Sequence, residues 1–134
     1  MTTRGSAALV LSFAGLALAA TRAAAEAPIS PLDGKTFVGE TGEKGKAASE
    51  KDEVTFKNGR FHSKGCDAWG FGDGPYRLTK VAGGIGFEAT TTSAKEGKIQ
   101  WKGTVKGEDL DGVFTWTKPG QAAIDYWIKA RRRH

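Results

Sequence analysis

Beyond residue 34 apolar and polar residues alternate in short runs rich in Val, Ile, Thr, Phe and Trp, each run ending at a turn signal. A period of two sends successive side chains to opposite faces of an extended strand, so the pattern predicts strands buried on one face and solvated on the other. Eight such runs are expected, at residues 35–40, 53–57, 60–64, 75–81, 85–91, 98–106, 110–117 and 124–130. Asn58-Gly59 separates two of them and is a strong hairpin signal, because a type I′ turn needs positive φ at both central residues. Gly83-Gly84, Glu96-Gly97 and Lys106-Gly107-Glu108-Asp109 supply the next turns. Longer loops are expected at 41–52, 65–74 and 118–123. The mid-strand glycines Gly86, Gly103 and Gly112 are expected to mark bulges or tight bends.

With Asn58-Gly59 as a two-residue loop, Lys57 pairs with Arg60, Phe56 with Phe61, Thr55 with His62 and Val54 with Ser63. Paired residues share a face, so Val54, Phe56, Phe61 and Ser63 point one way and Thr55 and His62 the other. Continuing the alternation buries Tyr76, Leu78, Ile85, Phe87, Ala89, Ile99, Trp101, Val105, Leu110, Phe114 and Trp116. Arg77, Thr79, Glu88, Gln100, Lys102, Asp111, Val113 and Thr115 then face solvent. Eight short antiparallel strands with one inward face close most simply into an up-and-down β-barrel, which also removes exposed sheet edges. A two-sheet sandwich is the alternative, and it usually needs longer crossovers than these.

The amino terminus breaks the pattern. Arg4 precedes an uncharged run from Gly5 to Thr21, and Ala23-Ala24-Ala25 stands just before Glu26. That is the three-part layout of a cleavable, helical signal peptide spanning residues 1–25, with export to the periplasm or beyond the cell. A membrane anchor would need ~20 apolar residues, whereas the strongly apolar part runs only from Ala7 to Ala20 and six of its fourteen residues are alanine.

Removing the leader leaves 109 residues, enough for one domain, which would occupy residues 26–130 ahead of a basic tail at 131–134. Basic residues fall from 20 to 18 against 15 acids, so the net charge becomes +3, the amount carried by Arg131-Arg132-Arg133. The body is near neutral, which argues against a nucleic-acid surface, and the tail is expected to be a solvated, frayed end. Cys66 is the sole cysteine, so no intrachain disulfide can form and the core alone must hold the fold.

Chemistry concentrates between Arg60 and Tyr76, which hold Cys66, His62, Asp67 and Asp73. A metal site would use His62, Cys66 and Asp67, with Asp73 as an optional fourth, but structural zinc sites bring paired ligand clusters and this chain has one cysteine and one histidine outside its tail. A Cys66–His62 nucleophile pair would lack an oxyanion motif, and a lone cysteine is commonly a small buried apolar residue. No metal, cofactor or catalytic residue is therefore expected. The aromatic residues carry more. An eight-stranded barrel is just wide enough to be filled by side chains or to hold one small ligand. If it is filled, the rings are core. If it is hollow, Phe87, Trp101, Phe114 and Trp116 line the site, Trp69 and Phe71 sit on a glycine-rich lid, and Ser63, Tyr76 and Tyr126 orient the ligand.

The run from Phe56 to Ser63, followed by Cys66, Gly70-Phe71, Pro75-Tyr76, the segment Ile99-Gln100-Trp101-Lys102-Gly103, Gly112 and Trp116, resembles small exported bacterial β-barrel proteins of uncharacterised family. In architecture the chain is similar to the calycins, the lipocalin-like and streptavidin-like barrels, and to small periplasmic barrels that inhibit proteases or lysozyme. The lipocalin G-x-W opening is replaced here by Gly34-Lys35-Thr36-Phe37. The protein is expected to be a monomer with no integral membrane segment after cleavage. Two readings follow: a non-enzymatic binder of a small apolar or aromatic ligand, or a protein-interaction barrel such as an enzyme inhibitor or an accessory subunit of an envelope complex.

Overall fold

The computed structural model describes residues 30–134, and the expected leader lies outside the described residues. Eight antiparallel strands close into one barrel in chain order: β1 (Thr36–Glu43), β2 (Glu50–Lys57), β3 (Arg60–Ser63), β4 (Gly74–Val81), β5 (Gly84–Ser93), β6 (Gly97–Lys106), β7 (Asp109–Lys118) and β8 (Gln121–Arg133). This is the all-β up-and-down barrel that the alternation predicts, consistent with a calycin-like architecture. The β2–β3 register is the expected one, Val54 opposite Ser63 through Lys57 opposite Arg60. Asn58 and Gly59 both carry positive φ, 52° and 75°, as a type I′ turn requires.

The elements depart from expectation mostly by being longer. The loop expected at 41–52 shrinks to the residues between Glu43 and Glu50, because β1 pairs with β8 as far as Glu43 opposite Tyr126. The one expected at 118–123 is a two-residue turn at Pro119-Gly120. Residues 64–69 form a 3₁₀ helix, η1 (Lys64–Trp69), which the Gly70 N–H caps by donating to the Asp67 carbonyl. The expected frayed tail is corrected too. Arg131, Arg132 and Arg133 pair with Val38, Phe37 and Thr36 on β1, and Arg133 forms an ion pair with Glu53. Closing the sheet demands a partner for the start of β1, and these residues supply it despite their charge.

One face assignment and one bulge expectation change. Leu78 is 41% exposed rather than buried. Strand β3 starts at Arg60, opposite Pro75, so beyond Tyr76 the far side of β4 has no paired neighbour. Gly103 and Gly112 are not bulges, since they sit opposite each other in an unbroken β6–β7 register. Their role is close approach: a Cβ on Gly103 would lie 2.8 Å from the Phe87 ring. The β7–β8 register shifts elsewhere, between Trp116 and Lys118.

The interior is asymmetric along the barrel axis. At one end Phe56 is the hub of a T-shaped aromatic cluster with Phe37, Phe61, Tyr76 and Phe87, at centroid distances of 5.0–6.0 Å. Leu32, fully buried, plugs that end from the turn preceding β1. The Asp33 carboxylate fixes this turn by accepting from the Asn58 and Gly59 amides (2.8 and 3.0 Å) and from the Tyr76 hydroxyl (2.8 Å). Those bonds hold the Asp33 carboxyl below its ordinary value, the Gly59 amide contributing most. Among the described residues no helix is long and apolar enough to cross a membrane.

Candidate functional site

The other end is hollow. A cavity of about 220 Å³ opens where η1 and the β1–β2, β5–β6 and β7–β8 turns gather. Its apolar wall consists of Trp69, Phe71, Ile99, Phe114, Trp116 and Tyr126, and its polar wall includes Thr41, Ser49, Glu50, Asp52, Cys66 and Glu96.

Each wall residue is placed by a local rule. Strand alternation turns Ile99, Phe114, Trp116 and Tyr126 inward from β6, β7 and β8. Phe114 stacks on Trp101 at 4.2 Å on one side and on Tyr126 at 4.8 Å on the other, so a column of rings runs from the packed core to the mouth. The Trp116 indole N–H donates to the Glu96 carbonyl, which fixes that ring against the β5–β6 turn. Ser93, also beside that turn, donates to the Trp69 carbonyl at 2.8 Å and ties down the end of η1. Trp69 itself remains 60% exposed at the rim.

The polar side centres on Asp52, which is buried. One carboxylate oxygen accepts from the Glu53 and Gly65 amides at 2.7 and 2.8 Å, and the other from the Ser63 hydroxyl at 2.6 Å. Ser63 Oγ also lies 3.3 Å from Cys66 Sγ. The serine has one hydroxyl proton and the carboxylate can only accept, so the thiol is left to donate to the serine oxygen. Burial pushes the Cys66 thiol up to about 11, and the negative charges of Asp52, Asp67 and Glu50 push the same way. The thiol is therefore protonated at neutral pH and a poor nucleophile. Tyr126 is raised as well, first by burial and then by Glu43 and Glu50.

The residues expected to line a site divide between the two ends. Trp69, Phe71, Phe114, Trp116 and Tyr126 meet around the cavity. Phe87 and Trp101 are packed in the core, where the Trp101 N–H donates to Thr91 Oγ1 at 3.1 Å. Tyr76 belongs to the plugged end, bonded to Asp33. Ser63 lies behind Asp52 and reaches the cavity only through its bonds to Asp52 and Cys66. His62 faces outward, as the hairpin register predicts, and pairs with Asp67 at 2.8 Å. Among the described residues no group of three or more His, Cys, Asp or Glu side chains is arranged to hold a metal ion. Glu50 and Asp52 are absent from the sequence-based site. Carrying the alternation back from Phe56 and Val54 would have turned both inward, but the charged run 50–53 masks it.

Comparison with protein-family models, with curated proteins and with solved structures returns no match to this chain.

Proposed function

We propose that this protein is a non-enzymatic binding barrel, acting in the periplasm or outside the cell after loss of its leader as a monomer, and that it takes one small apolar or aromatic ligand at its open end. The observation that carries this reading is the coexistence of a close-packed end and an aromatic-walled cavity in one small barrel. Side chains fill barrels of this size unless a ligand takes their place. Small-molecule sites are concave, mostly apolar and fitted with a few fixed polar groups, a description that suits this cavity. An apolar cavity of about 150 Å³ already admits a benzene ring, so 220 Å³ suits a single substituted ring or a short chain rather than a lipid. A protonated Cys66 and an outward His62 support a binding role over catalysis.

The test is a titration of refolded protein, stripped of co-purified small molecules, against a panel of single-ring compounds. Trp69 and Trp116 line the cavity and report through their fluorescence. Saturable quenching is expected, and its absence across the panel refutes the reading. The exposed indole of Trp69 favours a second reading, in which the mouth seats a segment of an envelope protein. A partner retained from a periplasmic extract and lost in Trp69→Ala supports that reading, and a clean monomer counts against it.

A further inference from the structure

We infer that the occupant of the open end is a small organic cation, an ammonium or amidinium head on an apolar or aromatic body. This deepens the binding-barrel reading and rests on it. Two independent features of the cavity wall point the same way. The first is electrostatic. Of the lining residues Glu50, Asp52 and Glu96 are acidic and Lys51 alone is basic. Lys51 lies between two inward positions of β2, so alternation carries its side chain to the outer face. Lys118 pairs with Glu96 at 3.0 Å and neutralises it. Among the described residues no basic side chain lies within ion-pairing distance of Glu50 or Asp52. The cavity therefore holds two carboxylates without a counter-ion, one at the rim and one buried with an oxygen that accepts only from Ser63.

The second feature is the wall itself. Both faces of Phe114 are covered by Trp101 and Tyr126, but Phe71, Trp116 and Tyr126 also line the space, and the negative quadrupole of an aromatic face attracts cations desolvated against it. A neutral ring gains only apolar burial here, and a carboxylate is repelled by Glu50 and Asp52. Burial is what chiefly raises Cys66 and Tyr126, and the carboxylates around the mouth add to it in the same direction.

The experiment compares four single-ring probes by calorimetry on the purified protein: benzylamine, benzyltrimethylammonium, benzyl alcohol and benzoate. The two cations are expected to bind about tenfold more tightly than benzyl alcohol, the order of a desolvated cation–π contact plus partial charge pairing, and benzoate more weakly still. The Glu50→Gln, Asp52→Asn double variant is expected to abolish the preference. If that variant does not fold, Glu50→Gln alone, at an exposed position, must cut the preference severalfold. Equal affinity for benzylamine and benzyl alcohol, or a preference unchanged by Glu50→Gln in protein lacking the double variant, overturns the cation assignment and leaves the small-ligand reading standing. Failure of all four probes to bind removes both.

Discussion

A barrel packed at one end and hollow at the other should respond unequally to the same truncation. Phe56 and Phe114 are both buried rings with aromatic neighbours, but Phe56 is fully enclosed while Phe114 borders the cavity. Phe56→Ala loses the transfer term for a fully buried ring, ~2–3 kcal/mol. It also leaves a void that four neighbouring rings cannot collapse into, which brings the total to ~4–5 kcal/mol. Phe114→Ala loses a similar transfer term, but it widens a space that already exists, so little is added and ~2 kcal/mol is expected. The difference of ~2–3 kcal/mol corresponds to a gap of ~8–24 °C in melting temperature for a domain of this size. Urea denaturation followed by far-UV circular dichroism measures it as a shift in midpoint at constant slope. Equal costs for the two substitutions would mean that the open end is packed as tightly as the closed one and leaves no room for a ligand.

Cys66 should alkylate slowly, with a rate that keeps rising with pH beyond 9, the ordinary thiol value, and bends only near 11; a plateau at the ordinary value refutes the account of its burial. The Asp33 clamp should show itself in acid. Its carboxyl is held below the ordinary 3.8, so the stability it contributes is present above that value and lost as pH falls through the folded one. Tyr76, raised above 10 chiefly by burial, contributes below that value and loses its contribution as pH rises through the folded one. Tyr76→Phe and Asp33→Asn should each lower the melting temperature at neutral pH, with Asp33→Asn flattening the acid limb of the melting curve against pH. An unchanged acid limb in Asp33→Asn would refute the clamp.

How much of this was legible depends on whether a residue sits between water and core. From Val54 to Trp116 the inward and outward positions differ in polarity, so alternation located the strands, and Asn58-Gly59 set a register that the structure reproduces. At the mouth, Thr41–Glu43 and Glu50–Lys51 carry no apolar side chain, so no apolar period marks them, and pairing alone makes them strands. The same reason hid Arg131–Arg133, held in the sheet by its neighbours β1 and β7. Leu32 is a single apolar residue with no periodic companion, and only the tertiary structure shows it closing the barrel. The aromatic wall was half legible. Sequence singles out the rings, but whether a ring fills the core, as Trp101 does, or borders space, as Trp116 does, depends on its height along the axis, and alternation does not encode height.

That difference in height also explains how a barrel without a disulfide can keep an open cavity. Burial must supply the stability, and it is concentrated where Leu32, Phe37, Phe56, Phe61 and Phe87 exclude solvent completely or nearly so. With each ring worth ~2–3 kcal/mol on burial, this cluster outweighs what the mouth forgoes by staying unfilled. The mouth is held by other means: the β1–β8 ladder, Asp52 binding the start of η1, and Ser93 and Glu96 fastening Trp69 and Trp116. These bonds fix the wall without occupying the space inside it. Polar clamps at the rim and close packing at the far end are therefore complementary, since filling the mouth with side chains would add stability but remove the cavity, and the closed end already makes that addition unnecessary.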